Sequence, residues 1–181
     1  MTPPLNISIP LQGSRPWKGI VIHHSASPDG VTRDWDAIRR YHTSYRIDGD
    51  IVSQTVFEER MKKKAGHNFE KPWLDIGYHF GTELVNGNPV FNWGRPLSMV
   101  GAHAGVAGFP NTYNTDFLGF CCIGNYDLHP PDPKLWEFSK SIIRAFIDAF
   151  HMDLTNVIGH RDFMTASGFP DKRPALAANS I

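Results

Sequence analysis

Residues 19–25 read GIVIHHS, a short apolar run, rich in β-branched side chains, that ends in two histidines and a serine. This composition predicts a buried strand that stops where the polar residues begin. Residues 157–162 read VIGHRD and repeat the design, because a short apolar run and a glycine lead into His160. Two histidines that each follow a buried strand, His23 and His160, can meet at one point in space.

Two imidazole side chains that lie this close together predict a shared metal ion. Neutral imidazole is the commonest protein ligand for zinc. A zinc ion at the tips of strands, with one position open to water, is a hydrolytic centre. The alternative is that these histidines are incidental, since a lone histidine is more often a surface or satisfied core residue. That interpretation is the expectation for His42, His67, His129 and His151.

Further segments predict the other strands. A continuous apolar run at 117–123 predicts a central strand that is covered on both faces. The pair Asn86-Gly87 lies between the apolar segments 76–84 and 90–93 and predicts a tight hairpin. Residues 51–57 predict one more strand.

Two helices follow from capping residues and apolar spacing. Thr32 is a candidate N-cap for a helix that reaches Tyr45, and Asp132 with Pro133 begins a longer amphipathic helix. Loops are predicted at 62–72 and 101–115. Because strands alternate with helices and one tight hairpin is present, we predict a single α/β domain. Its central mixed β-sheet is flanked by helices and carries a zinc cleft at the strand ends.

Composition narrows the function further. The chain has 181 residues, and its 18 Lys and Arg balance its 18 Asp and Glu, which argues against a nucleic-acid partner. No run approaches the roughly 20 apolar residues of a membrane span. The N-terminus lacks the pattern of a signal peptide, so we expect synthesis in the cytoplasm. Cys121 and Cys122 are adjacent in an apolar run and are expected to be buried thiols.

Several short motifs occur together in a characteristic order. They are Ile22-His23-His24-Ser25, Ile76-Gly77-Tyr78-His79-Phe80, Gly94-Arg95, Gly101-Ala102-His103-Ala104, Asn114 with Leu118-Gly119-Phe120, and Ile158-Gly159-His160-Arg161-Asp162. In this order they resemble the zinc-dependent N-acetylmuramoyl-L-alanine amidases of the type 2 family. That family includes bacteriophage amidase-type lysozymes and peptidoglycan recognition proteins. The resemblance implies a catalytic domain over residues 18–165, after an irregular lead-in over residues 1–17.

The resemblance also implies a role for individual residues. His23 and His160 match the first and second zinc ligands. Tyr78 matches the tyrosine that helps to polarise the scissile carbonyl and the attacking water. Residues expected to support the site or to line the substrate cleft are His24, His79, His103 and Asn114.

The third zinc ligand is where the chain departs from the family pattern. The family takes it from a cysteine or an aspartate beyond the second histidine, and no cysteine follows His160. Asp171 is the candidate ligand, with a solvated loop aspartate as the alternative. A second hypothesis is that a single-base slip near codon 172 replaced a Cys-Pro-Gly end. Either way, residues 166–181 form an atypical tail.

These implications define the expected function. The reaction is hydrolysis of the amide between N-acetylmuramic acid and L-alanine, with Zn²⁺ as cofactor and peptidoglycan as partner. We expect a monomer that does not insert into membranes and that reaches the cell wall in the manner of a phage lysin. One alternative is a non-catalytic peptidoglycan-binding protein on the same fold. Another is a metal-free interaction domain.

Overall fold

The computed structural model describes residues 7–27, 34–63, 66–105 and 112–162. Over these residues the strands are β1 (Gly19–His24), β2 (Tyr45–Ile47), β3 (Asp50–Val52), β4 (Phe69–Glu70), β5 (Phe80–Val85), β6 (Asn88–Trp93), β7 (Phe117–Cys122) and β8 (Val157–Gly159). The helices are α1 (Asp34–His42), α2 (Gln54–Lys62), α3 (Thr112–Asp116) and α4 (Pro133–Phe150), and a short 3₁₀ turn covers Leu154–Asn156. No described helix is long and apolar enough to cross a membrane.

A five-stranded mixed sheet forms the centre of the fold, in the order β6-β5-β7-β1-β8. The strands β5, β7, β1 and β8 are parallel to one another, and β6 is antiparallel to β5. The predicted hairpin is confirmed: Asn86 and Gly87 both have positive φ, as a tight turn between twisted strands requires. The predicted central strand is confirmed as well, since β7 lies between β5 and β1.

Each face of the sheet is covered by a helix. On one face α4 buries Leu135, Ile142 and Phe146 in the main core, where the Phe146 ring stacks on Phe80 at 3.9 Å. On the other face Trp35 of α1 packs with a smaller core cluster that includes Cys121. The predicted class, a mixed α/β fold with helices on both faces of a mixed sheet, is therefore confirmed.

Capping explains the helix boundaries. The Asp132 carboxylate accepts the backbone N–H of Lys134 at 2.8 Å, so α4 begins at Pro133 as predicted. The helix predicted to reach Tyr45 ends earlier, at His42, because Tyr45 begins β2. The candidate cap Thr32 lies outside the described residues. Both cysteines are free and buried, also as predicted.

The segment after α1 differs from its prediction. Only Ile51 and Val52 of the predicted strand 51–57 belong to a strand, because Ser53 caps a helix there and its Oγ accepts the Val56 N–H at 3.3 Å. Local capping thus overrides the β propensity of the residues that follow. The predicted loop 62–72 also contains β4, which completes a small sheet of order β3-β2-β4. The predicted loop 101–115 includes the start of α3.

Candidate metal centre

His23 and His160 meet at one edge of the central sheet. The strands β1 and β8 are parallel neighbours with Ile22 opposite Gly159, so the next residue of each strand lies at the same edge. The two Nδ1 atoms are 3.0 Å apart, although 137 positions separate the residues. His23 is buried and His160 is half-buried. The structure therefore brings together the two histidines that the sequence analysis placed at one point.

The surroundings of His23 keep its ring neutral. Burial lowers the pKa of His23 well below its ordinary value, and the nearby His103 and His160 rings lower it further. A neutral imidazole has a lone pair on one nitrogen atom, which is the form that binds a metal ion. The electrostatic environment of His23 thus suits a ligand.

His103 forms the next contact on the buried side of His23. Its Nδ1 lies 2.9 Å from His23 Nε2, and its own Nε2 lies 3.2 Å from the carbonyl oxygen of Phe117. The Oδ1 atom of Asn114 accepts the backbone N–H groups of His103 and Ala104 at 2.7 and 2.8 Å. His103 and Asn114 thus belong to the wall behind the histidine pair.

His79 lies deeper and has both ring nitrogen atoms engaged. Its Nδ1 accepts the backbone N–H of Gly119 at 2.9 Å, and its Nε2 lies 3.0 Å from the Met99 carbonyl oxygen. Burial lowers the pKa of His79 to about 4, so the ring is neutral at pH 7. With both nitrogen atoms occupied by backbone groups, His79 braces β5 against β7 and does not offer a ligand atom.

Tyr78 borders the site from β5's amino end. Its ring centroid lies 5.2 Å from that of His23, and its hydroxyl group hydrogen-bonds the Cys121 thiol. Burial and then Cys121 raise the pKa of Tyr78 well above its ordinary value. The phenol consequently remains protonated and can act only as a neutral hydrogen-bond donor or acceptor.

His24 turns away from the pair. Its Nδ1 accepts the backbone N–H of Tyr126 at 3.1 Å, and its Nε2 is 3.6 Å from a carboxylate oxygen of Asp127. These contacts join the end of β1 to the loop after β7. The supporting role that the resemblance implies for His24 stays a prediction.

The donor set can be compared with the needs of zinc. Two nitrogen atoms bound to one tetrahedral zinc ion lie about 3.3 Å apart, given zinc–nitrogen bonds of about 2.0–2.1 Å. The observed separation of 3.0 Å between His23 and His160 requires only a small adjustment. The spacing of the two ring nitrogen atoms therefore fits the ion. Asp171, the candidate third ligand, lies outside the described residues, as does the tail 166–181.

A groove opens beside the histidine pair. It has a volume of about 470 Å³ and is lined by Ser25, Ser27, Asp34, Ala37, Ile38, Tyr41, His42 and Tyr78. His42, which the sequence analysis treated as incidental, stacks on Trp73 at 4.5 Å and accepts the Gly77 N–H at 3.2 Å. His42 lies one helical turn after Ile38, which also lines the groove. This spacing could have predicted that His42 lies on the same side of the helix.

Arg95 is a structural residue whose role the sequence analysis did not identify. Its Nε and Nη1 atoms donate to the carbonyl oxygen atoms of Ile76 and Val100 at 2.7 and 2.8 Å. The buried guanidinium group thereby joins the loop before Tyr78 to the loop before His103. The glycine-arginine pair at residues 94–95 was the sequence pattern that could have indicated this structural role.

Two solved structures show a fold similar to that of this chain. Bumblebee PGRP-SA superimposes with a TM-score of 0.54 at 23% identity, over 87% of this chain and 77% of that chain. Human PGRP-IβC, solved in complex with glycosamyl muramyl pentapeptide, gives a TM-score of 0.51 at 18% identity, over 83% of this chain and 74% of its own. The fold is accordingly that of the peptidoglycan recognition proteins.

The sequence assigns the family. The profile described as N-acetylmuramoyl-L-alanine amidase matches residues 13–172, and the chain belongs to this family. Peptidoglycan-recognition protein LB of Drosophila melanogaster is 29% identical over 96 residues, which are 52% of this chain and 38% of that protein. The chain thus matches well under half the length of this curated relative.

Proposed function

We propose that the protein is a peptidoglycan hydrolase that cleaves the amide between N-acetylmuramic acid and L-alanine of the stem peptide. The observation that carries the proposal is the His23–His160 pair, whose Nδ1 atoms lie 3.0 Å apart at the sheet edge. Membership of the amidase family supports the reaction type. Water hydrolyses the amide, so that the lactyl carbonyl becomes a carboxylate and L-alanine is released with a free amino group.

His23 and His160 are the residues that hold zinc in this proposal. With zinc bound there, these residues would hold an ion that could polarise the scissile carbonyl and lower the pKa of water. The two imidazoles fix the position of the ion, and burial of His23 keeps its ring in the neutral, binding form. Asp171 is the proposed third protein ligand.

Tyr78 is the proposed hydrogen-bond donor to the oxyanion that develops on the scissile carbonyl. Its raised pKa keeps the proton on the phenol. In order to donate to the substrate, the hydroxyl group exchanges its Cys121 partner for the substrate oxygen. The groove that Tyr78 shares with His42 and Tyr41 is the proposed site for the muropeptide. The place of action is the bacterial cell wall.

A second candidate function is recognition of peptidoglycan without cleavage. One observation favours it: no cysteine follows His160, although the family takes its third zinc ligand from a cysteine or an aspartate in that part of the chain. Two imidazoles alone bind zinc weakly, since a catalytic site normally has three protein ligands. Such a protein binds peptidoglycan in the groove but does not hydrolyse the amide.

Zinc content and product release separate the two functions. The purified protein is freed of metal with a chelator, titrated with Zn²⁺, and incubated with purified cell wall, and the free amino groups of L-alanine are counted. The hydrolase binds one zinc ion and releases amino groups, and His23→Ala loses both. His129→Ala is the control, because His129 is exposed and its ring bonds the adjacent Pro130 carbonyl instead of His160. Wall binding without zinc or release supports the recognition protein and rejects the hydrolase.

A further inference from the structure

We propose that His103 is a positioning residue, which fixes the tautomer of His23 and thereby presents the His23 Nδ1 lone pair to the metal ion. This inference rests on the proposed zinc function. A ring nitrogen hydrogen-bonded on one side leaves the other free as a ligand.

The carbonyl group of Phe117 can only accept a hydrogen bond. The Nε2 atom of His103 lies 3.2 Å from this oxygen, so it is the protonated nitrogen of the ring. His103 is buried, and burial disfavours a charged imidazole, so the ring carries a single proton. The Nδ1 atom of His103 is left as an acceptor.

The Nδ1 acceptor of His103 in turn determines which ring nitrogen of His23 carries the proton. The distance from His103 Nδ1 to His23 Nε2 is 2.9 Å, and only His23 can supply the proton for this hydrogen bond. Since His23 is also buried and its ring carries a single proton, its Nδ1 atom carries the lone pair. That atom is the one that faces His160 at 3.0 Å. One backbone carbonyl thus orients two imidazoles in succession.

Packing holds His103 in the orientation that this chain of hydrogen bonds needs. A Cβ atom on Gly119 would lie 2.5 Å from His103 Cγ, and one on Gly101 would lie 2.7 Å from its Nε2. The ring therefore occupies space that only two glycines leave open. Asn114 fixes the backbone of His103 from the other side.

The experiment compares His103→Leu with His103→Gln. Leucine fills space but accepts no hydrogen bond, whereas the glutamine amide can accept from His23 and donate to Phe117. His79→Gln is the matched control, because His79 is equally buried but bonds Gly119 and Met99 instead of His23. The first measurement is the ¹⁵N imidazole NMR spectrum of the metal-free protein, which reports the tautomer of His23. The second is zinc affinity by competition with a chromophoric chelator.

We expect His23 to carry its proton on Nε2 in the wild type and in His103→Gln, and to lose this preference in His103→Leu. Zinc affinity is expected to fall about 10- to 100-fold in His103→Leu, and to recover in His103→Gln. Wild-type zinc affinity in His103→Leu would overturn the inference. A wild-type His23 with its proton on Nδ1 would do so even if the leucine variant failed to fold. If the wild type binds no zinc, the proposed function fails, and the tautomer spectrum still decides the role of His103.

Discussion

Glu83 and Trp35 are joined by a hydrogen bond between β5 and the first turn of α1. The Oε2 atom of the fully buried Glu83 lies 3.1 Å from the backbone nitrogen of Trp35 and 2.7 Å from that of Asp34. Its other oxygen accepts the Asn92 side-chain N–H at 2.9 Å. A carboxylate from a strand thus accepts the N–H groups at the start of a helix, where negative charge is favourable. Because α1 forms one wall of the groove, this contact holds the wall in place.

The substitution Glu83→Gln is expected to destabilise the protein. The amide nitrogen must point either at the helix N–H groups or at the Asn92 N–H, and each choice leaves buried donors without an acceptor. We expect the free energy of unfolding to fall by about 1–3 kcal/mol, measured by urea denaturation. Asp36→Asn is the control, because Asp36 is exposed in the same turn of α1. Its effect is expected to stay within about 0.5 kcal/mol; equal effects of the two substitutions would contradict the capping role.

The elements that sequence patterns predicted are those with a local signal. The strand at 19–24, the central strand at 117–122, the hairpin at Asn86-Gly87 and the start of α4 at Pro133 each follow from a run, a turn pair or a cap. The proximity of His23 and His160 was predicted because each histidine follows a short buried strand. Local patterns therefore gave the framework and two residues of the candidate site.

The contacts that sequence patterns missed join distant segments. Glu83 accepts the N–H of a residue 48 positions away, and no short pattern records such a bond. Arg95 reaches back 19 positions to the Ile76 carbonyl. The helix α2 was missed for a different reason, since the serine at position 53 was read as part of a strand although it is a good N-cap.

Tyr78→Phe tests the proposed oxyanion donor. Removal of one such donor is expected to lower the rate of amide hydrolysis about 10²- to 10³-fold. Zinc affinity is expected to stay at the wild-type level, because the hydroxyl group bonds Cys121 and neither histidine of the pair. The rate is followed as release of amino groups from purified wall. Tyr41→Phe is the control from the same groove, and a Tyr78→Phe enzyme as fast as this control would rule out the donor role.

Stability is expected to fall as the pH drops from about 6.5 to 4. His42 and His79 have ordinary pKa values of 6.5, and burial lowers each to about 4 in the folded protein. Between these values the unfolded chain binds more protons than the folded one, so acid favours unfolding. Each pKa unit corresponds to about 1.4 kcal/mol, and the loss over this window is of the order of several kcal/mol.

Urea denaturation at a series of pH values, in the presence of a chelator, measures this dependence. His79→Gln is expected to flatten the profile between pH 6.5 and 4, because it removes one of the groups that titrate there. His129→Gln is the control, since His129 is exposed and its ring bonds the adjacent Pro130 carbonyl. An unchanged slope in His79→Gln would show that burial of this ring does not couple protons to folding.

Gly119→Ala is expected to disturb the proposed metal site without changing any of the residues proposed to bind the ion. The new Cβ atom would meet the His103 ring, with 2.5 Å to its Cγ, so the ring must move away from His23. Overpacking of this kind costs about 1–3 kcal/mol of stability, and displacement of a supporting residue lowers zinc affinity about 10- to 100-fold. Gly66→Ala is the matched control, because no heavy atom lies within 4 Å of a Cβ there. Zinc titration of both folded variants measures the effect. A Gly119→Ala protein that is less stable than Gly66→Ala but binds zinc equally well would separate the packing of His103 from the metal site.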